Sequence, residues 1–247
     1  MIKTNLCPSF ALLKFIVMIS FFQIFYFFLS VCCSNSLGPQ FLQPDVSTLV
    51  SFGAKYTYAM KYKFQIWRFI TPILLHGSFM HLFSNLISQM IFGLALEVTL
   101  GTFSMLYLYF ISGFGGCLIS SLANDSISVG ASGAILGIMG CYLAYFIKNW
   151  TELSALGSMR YTFLCLLSLI VLLNFSSSAT KKTSTVDGWG HFGGLITGLL
   201  FGLIIVKPIF NGEKQKKMRF YGLILLTAML FICFICFYTT KDPNPLF

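Results

Sequence analysis

The chain has 247 residues, of which 57% are hydrophobic and 9% charged, and its mean hydropathy is +0.83. Soluble domains are about 25% charged, so this composition excludes an ordinary soluble fold and predicts an all-α polytopic membrane protein. The net charge of +9 has no basic stripe on a soluble domain behind it, which argues against a nucleic-acid partner. Lys and Arg beside membrane spans account for it.

A spanning helix needs about 20 mostly apolar residues. The first such run covers residues 12–33. It is longer and bulkier than the apolar region of a signal peptide, about 7–15 residues, so a retained span is expected. Residues 34–78 hold Gly38-Pro39, Pro44 and Gly53, then Lys55, Tyr56, Tyr58, Lys61, Tyr62, Lys63, Phe64, Trp67 and Arg68. Tyr and Trp favour the membrane–water interface, and Lys and Arg snorkel beside them, so this segment reads as a folded interfacial loop. The second run is 79–96, ending at Glu97, with His81 and Asn85 on one helix face. The third is 103–122, followed by the turn Asn124-Asp125-Ser126. The fourth runs from Ser132 to Lys148 and carries Gly133, Gly137, Gly140 and Ala144 at three-to-four spacing. The fifth, 161–175, is short and leads into a loop with Lys181 and Lys182. The sixth, 191–206, has glycines at 190, 194, 198 and 202, and the seventh is 220–238.

The expected organisation is a short tail (1–11), a six-span core (12–206) including the interfacial loop 34–78, a basic loop (207–219), and one additional C-terminal span with its tail (220–247). Loops on alternating faces put Lys207, Lys214, Lys216, Lys217 and Arg219 on the side of the N-terminus. The positive-inside rule then places the N-terminus in the cytosol. The eight cysteines lie mostly in apolar runs, where they behave as small hydrophobes. Cys233-Phe-Ile-Cys236 has redox spacing but no charged neighbour to activate it, and no zinc-ligand spacing appears.

With this topology the second, fourth and sixth spans all start from the non-cytosolic face. That brings His81, Asn85, Ser132 and His191 to one shallow depth. A serine hydroxyl needs a base within about 2.6–3.2 Å to become a nucleophile, and small-residue stripes allow two spans the required close approach. Gly133, Gly137 and Gly140 are expected to face Gly194, Gly198 and Gly202. The Ser132 backbone N–H, the Asn85 amide and the His81 ring are candidate oxyanion donors. Of the acids, Glu97, Glu152 and Glu213 fall on the opposite face, Asp45 and Asp242 have no route to the site, and Asp125 and Asp187 are in loops on the correct face. A Ser–His dyad is the simplest account. Taken singly, Gly-x-Ser-Gly, a histidine in a span and a glycine repeat are all ordinary packing features. Their convergence at one depth is what points to chemistry.

These residues resemble the rhomboid intramembrane serine proteases. Gly130-Ala131-Ser132-Gly133 is similar to the family's nucleophile motif. His191-Phe-Gly-Gly with Gly198 resembles its histidine helix. His76-Gly-Ser-Phe-Met-His81-Leu-Phe-Ser-Asn85 resembles its second-span segment, Trp67-Arg68 the pair before it, and Gly93-Leu-Ala-Leu-Glu97 with Gly101 its glycine–glutamate turn. The resemblance runs from about residue 67 to 202, and a seventh, C-terminal span is similar to the secretase-type members. It implies a rhomboid-like bundle of seven helices (six plus one). It further implies Ser132 as nucleophile, His191 as general base and acid, and Asn85 and His81 lining the oxyanion hole. His76, Trp67, Arg68, Glu97, Gly133, Gly194 and Gly198 become structural supports. The implied substrates are single-pass transmembrane proteins reached from the lipid, cleaved at helices weakened by Gly or Ala, with no metal or cofactor. The implied site faces the extracellular or lumenal side. One departure is Leu136, where the family commonly has a tyrosine four residues after the nucleophile. The rival readings are a non-proteolytic, client-binding protein of the same fold and a transporter or channel using His191 as a proton relay. The latter predicts repeated halves with broken helices, which the sequence does not show.

Overall fold

The computed structural model describes residues 14–165, 168–169, 172, 187–209, 212–240 and 242–244. Among these residues it is all-helical, with two isolated antiparallel bridges, Leu37 to Pro44 and Lys55 to Ser128, as its only β pairing. The helices are α1 (Phe15–Cys32), α2 (Val46–Phe52), α3 (Thr57–Tyr62), α4 (Phe79–Ser88), α5 (Leu94–Leu100), α6 (Thr102–Ala123), α7 (Ser132–Lys148), α8 (Gly188–Ile205) and α9 (Glu213–Thr239). A π-helical segment, Gln89–Gly93, joins α4 to α5. Among the described residues, five continuous helices are long and apolar enough to cross a membrane, and the 17-residue α7 is a shorter apolar one. The all-helical membrane bundle read from the sequence is therefore the architecture found. Seven of the fifteen positions of the fifth run, 161–175, lie outside the described residues, although 159–165 are helical.

The segment between α1 and α4 is folded. Asp45 caps α2 by accepting from the Thr48 N–H at 2.7 Å, and also accepts from the hydroxyls of Ser34, Ser47 and Thr48. These hydrogen bonds, led by that of Ser47, hold its carboxyl well below the usual carboxylate range. Arg68 ties the segment together through its Nη1, donating to the carbonyls of Val50 at 2.7 Å and Ala54 at 2.8 Å. The Trp67 ring is instead exposed, as befits an interfacial aromatic.

Two long-range interactions fix the far end of the bundle. Helix α1 has no capping side chain of its own. Its first N–H groups, of Phe15 and Ile16, donate to the fully buried Glu97 carboxylate at 2.8 and 3.0 Å, and Thr102 Oγ1 donates to it at 2.8 Å. The second helical run continues past the expected residue 96 to Leu100, because the π segment accommodates it. A π turn breaks the regular i−4 ladder, and the Phe92 carbonyl within it accepts from Tyr142 Oη of α7 at 3.0 Å. The last helix begins at Glu213, seven residues ahead of its apolar run, with Glu213 paired to Lys216 in its first turn.

The centre of the bundle is α8, packed most extensively on α7 and then on α6. Helices α7 and α8 run parallel along a glycine seam. A methyl placed on Gly194 would meet the carbonyl of Gly133, one on Gly198 the backbone of Gly137, and one on Gly202 the Cys141 Cα at 2.9 Å. At the far end of the seam Lys148 Nζ donates to the carbonyls of Leu203, at 3.0 Å, and of Val206.

Candidate active site

Three helices begin at the same end of the bundle, and each brings a polar side chain in its opening turns. Helix α7 starts with Ser132 itself. The turn before it depends on Gly130, which adopts φ +129° while its N–H donates to the Pro72 carbonyl at 2.8 Å. A side chain there would be strained by that φ and would strike the His81 ring, 2.7 Å from Cε1. Helix α4 is capped by Ser78, whose Oγ accepts from the His81 N–H at 3.3 Å. That cap sets His81 and, one turn on, Asn85 facing the start of α7. The fully buried His76 meets His81 edge to face at 5.3 Å between ring centroids.

Helix α8 supplies His191, which is buried. Its Nε2 lies 2.7 Å from Ser132 Oγ. With the ring neutral and Nε2 unprotonated, the hydroxyl donates to it, which is the arrangement a nucleophilic serine requires. Asn85 is also buried, and its Nδ2 has no hydrogen-bond partner among the described residues. An unsatisfied buried donor is costly, about 1–3 kcal/mol, and this one faces the same cavity as Ser132. Ser132, His191, His81 and Asn85 line one cavity of about 480 Å³. A second recess of about 40 Å³ lies against Ser132, walled by Ile73, Gly113, Gly116, Cys117 and Gly130. It has room for little more than a methyl group or one water. All three histidines and the serine of Gly-x-Ser-Gly thus gather around one pair of cavities or the ring beside them.

The remaining residues named from the sequence are placed at varying distance from this centre. Gly133, next to Ser132, touches Gly194, one turn after His191, and Gly198 meets Gly137 a turn further on. Arg68 is in the folded first loop, and Glu97 is at the opposite end of the bundle. Leu136 is buried in α7. Among the described residues no group of three or more His, Cys, Asp or Glu is arranged to hold a metal ion.

The sequence reading left out a buried ionic cluster at the edge of the site. Asp187, set aside as a loop acid, caps α8: its Oδ1 accepts from the Gly190 N–H at 2.9 Å. Its Oδ2 accepts from Ser120 Oγ at 2.5 Å and Ser128 Oγ at 2.8 Å and lies 3.6 Å from Lys55 Nζ. Lys55 is fully buried and donates to Ser120 Oγ at 2.5 Å and Asn124 Oδ1 at 3.0 Å. Burial pushes the Lys55 ammonium below the ordinary lysine range, with Asp187 opposing the shift. For Asp187 burial works upward, but Lys55 and the donors from Ser120, Gly190 and Ser128 outweigh it and hold the carboxyl below its usual value. The clue in the sequence was Asp187-Gly-Trp-Gly190, an acid at an N-cap position immediately ahead of a glycine-rich helix.

A family model described as Rhomboid domain matches residues 63–208. Rhomboid-like protease 3 of Toxoplasma gondii is 34% identical over 233 residues, covering 93% of this chain and 84% of its own. Rhomboid-like protease 1 of the same organism is 30% identical over 241 residues, 94% and 78% respectively. RHOMBOID-like protein 6, mitochondrial, of Arabidopsis thaliana is 36% identical over 184 residues, 74% of this chain. The chain spans only 58% of that plant relative and 55% of RHOMBOID-like protein 5. The matched domain takes in every residue of the cluster around Ser132 except Lys55, and on this evidence the chain belongs to the rhomboid family.

Proposed function

We infer that the protein is an intramembrane serine endopeptidase that cleaves single-pass transmembrane proteins within or beside their membrane span. The observation that carries this reading is the 2.7 Å contact between Ser132 Oγ and His191 Nε2, in a cavity shared with the partnerless amide of Asn85. Membership of the rhomboid family and the protease names of the Toxoplasma relatives support it.

In this mechanism Ser132 Oγ attacks the scissile carbonyl carbon as its proton passes to His191 Nε2. The oxyanion so formed accepts from Asn85 Nδ2 and from the Ser132 N–H at the unpaired start of α7, with His81 beside them. Collapse breaks the C–N bond, and His191 returns the proton to the leaving amine. Water then attacks the acyl-serine, giving its proton to His191, and the carboxyl product leaves as Oγ is reprotonated. No step needs a metal or cofactor. A regular helix keeps its carbonyls in its own hydrogen bonds, so the substrate must unwind locally before attack. The small recess beside Ser132 favours Gly or Ala at that point.

In this reading the bundle has seven spans (six plus one), with the N-terminus in the cytosol and the site opening to the extracellular or lumenal face. The six-span core, 12–206, carries the chemistry, and the helix after it is an addition. His76, Trp67, Arg68, Glu97, Gly133, Gly194 and Gly198 serve as supports.

Co-expression with a single-pass substrate bearing a Gly/Ala-rich outer span tests the reading. Wild type releases the ectodomain, whereas Ser132→Ala and His191→Ala do not. Shedding that persists in both variants would remove the protease assignment. Client co-purification without cleavage by wild type would replace it with a binding role.

A further inference from the structure

The cluster around Lys55 performs no chemistry in the mechanism above, yet it joins four separate parts of the chain. Asp187 belongs to the start of α8, Ser120 to the end of α6, Ser128 to the loop leading to Ser132, and Lys55 to the folded first loop. The Lys55 N–H also donates to the Ser128 carbonyl at 3.0 Å, so the two segments are bonded through backbone and side chain together. Ser120 connects the charges directly: its hydroxyl accepts from Lys55 and donates to Asp187, using its single proton once.

Asp187 stands one helical turn before His191, whose N–H donates to the Asp187 carbonyl at 3.0 Å. Its carboxylate holds the Gly190 N–H just before His191, so carbonyl and carboxylate together fix the helix start from which the His191 ring is projected. It also lines both cavities that hold Ser132 and His191. That location poses an electrostatic problem. Negative charge develops on the substrate oxygen at Ser132, and an uncompensated carboxylate nearby, in a desolvated site, would oppose it. A buried cation against that carboxylate removes the opposition while leaving the cap in place. Removing one partner of such a pair leaves the other charge uncompensated.

Building on the serine-protease reading, we propose that Lys55 and Asp187 are positioning residues of the Ser132–His191 pair: Asp187 anchors the start of the histidine helix, and Lys55 cancels its charge where the oxyanion forms.

The test is a double-mutant cycle with Lys55→Met and Asp187→Asn, purified and measured for kcat, KM, thermal midpoint and the rate at which a fluorophosphonate probe labels Ser132. Lys55→Met exposes the site to a bare carboxylate, and its kcat and labelling rate fall roughly 10- to 100-fold with KM little changed. Asp187→Asn keeps an acceptor for the Gly190 N–H and loses less kcat. Combining the two restores kcat toward wild type, above Lys55→Met alone. Should Lys55→Met fail to fold, Ser120→Ala breaks the bridge between the charges and gives the same direction with a smaller loss. A purely structural role would leave the double variant no better than Lys55→Met. That result, or wild-type kcat in folded Lys55→Met, overturns the proposal. A wild type that neither cleaves nor labels would instead sink the protease reading and this inference with it, so the two failures are distinguishable.

Discussion

The seam between α7 and α8 makes a quantitative prediction for Gly194→Ala. The added methyl would sit 2.7 Å from the carbonyl carbon of Gly133, 3.0 Å from its Cα and closer still to its oxygen. Carbon atoms in contact rest at about 3.5–4.0 Å, so the helices must part by about 1 Å or rotate to the same effect. Neighbouring side chains cannot absorb the shift, because the obstructing atoms are backbone. Gly133 adjoins Ser132, and Gly194 is one turn from His191, so the displacement falls on the 2.7 Å hydroxyl–imidazole contact. A contact stretched to about 3.7 Å is outside hydrogen-bond reach, and misplacement on that scale costs about 100-fold in rate. The stability cost of overpacking is about 1–3 kcal/mol, small enough for a folded product. The assay is ectodomain release by protein reconstituted in lipid vesicles, with the thermal midpoint measured on the same preparation. Near wild-type kcat in folded Gly194→Ala would refute the argument that the glycine seam sets the distance between serine and histidine.

Three further outcomes are expected. Asn85→Ala removes the partnerless donor and lowers kcat roughly 100- to 1,000-fold with KM nearly unchanged; a loss confined to KM would assign Asn85 to substrate binding. Glu97→Ala strips the acceptor from the Phe15 and Ile16 N–H groups and destabilises the protein by about 2–3 kcal/mol, read from denaturant unfolding in detergent; an unchanged midpoint would deny that Glu97 caps α1. The Asp187 carboxyl is depressed in the folded protein, so its stabilisation is present above the unfolded value of about 3.9 and lost as pH falls below it. The difference in thermal midpoint between wild type and Asp187→Asn is therefore constant from pH 7 to 5 and narrows below about pH 4. Narrowing already between pH 7 and 5 would contradict the depressed value.

What the sequence made legible is what repeats along it or lies close within it. Six of the seven apolar runs coincide with described helices, five of them to within four residues at each end, since burying or exposing such a stretch to lipid leaves few alternatives. The four-residue glycine spacing of α8 announced a close neighbour, and the matching stripe after Ser132 identified it. What stayed hidden are polar groups that meet only in the folded bundle. Glu97 caps a helix that begins 82 residues earlier. Gln23, a polar residue within the first apolar run, donates to Tyr109 Oη at 2.9 Å and accepts from Gln89 Nε2 at 2.8 Å inside the bundle. Lys55 looked like an interfacial cation because Tyr56 and Tyr58 flank it, and its burial is decided by Asp187, 132 positions away. Local pattern sets where a chain enters and leaves the apolar layer. It does not say which buried donor meets which acceptor.

The parallel course of α7 and α8 has an electrical consequence. Their peptide dipoles point the same way, so two helix N-termini, each equivalent to roughly half a positive charge, lie side by side at Ser132 and His191. Both favour a negative charge between them, and in the proposed mechanism the substrate oxygen becomes one only at the moment of attack. The same alignment sets two negative C-termini together at the other end, where they repel. Lys148 stands there, its ammonium on the last carbonyls of α8. A lysine about 25 Å from the serine, by the length of a 17-residue helix, thereby offsets the repulsion that comes with two aligned helices whose N-termini meet at Ser132 and His191.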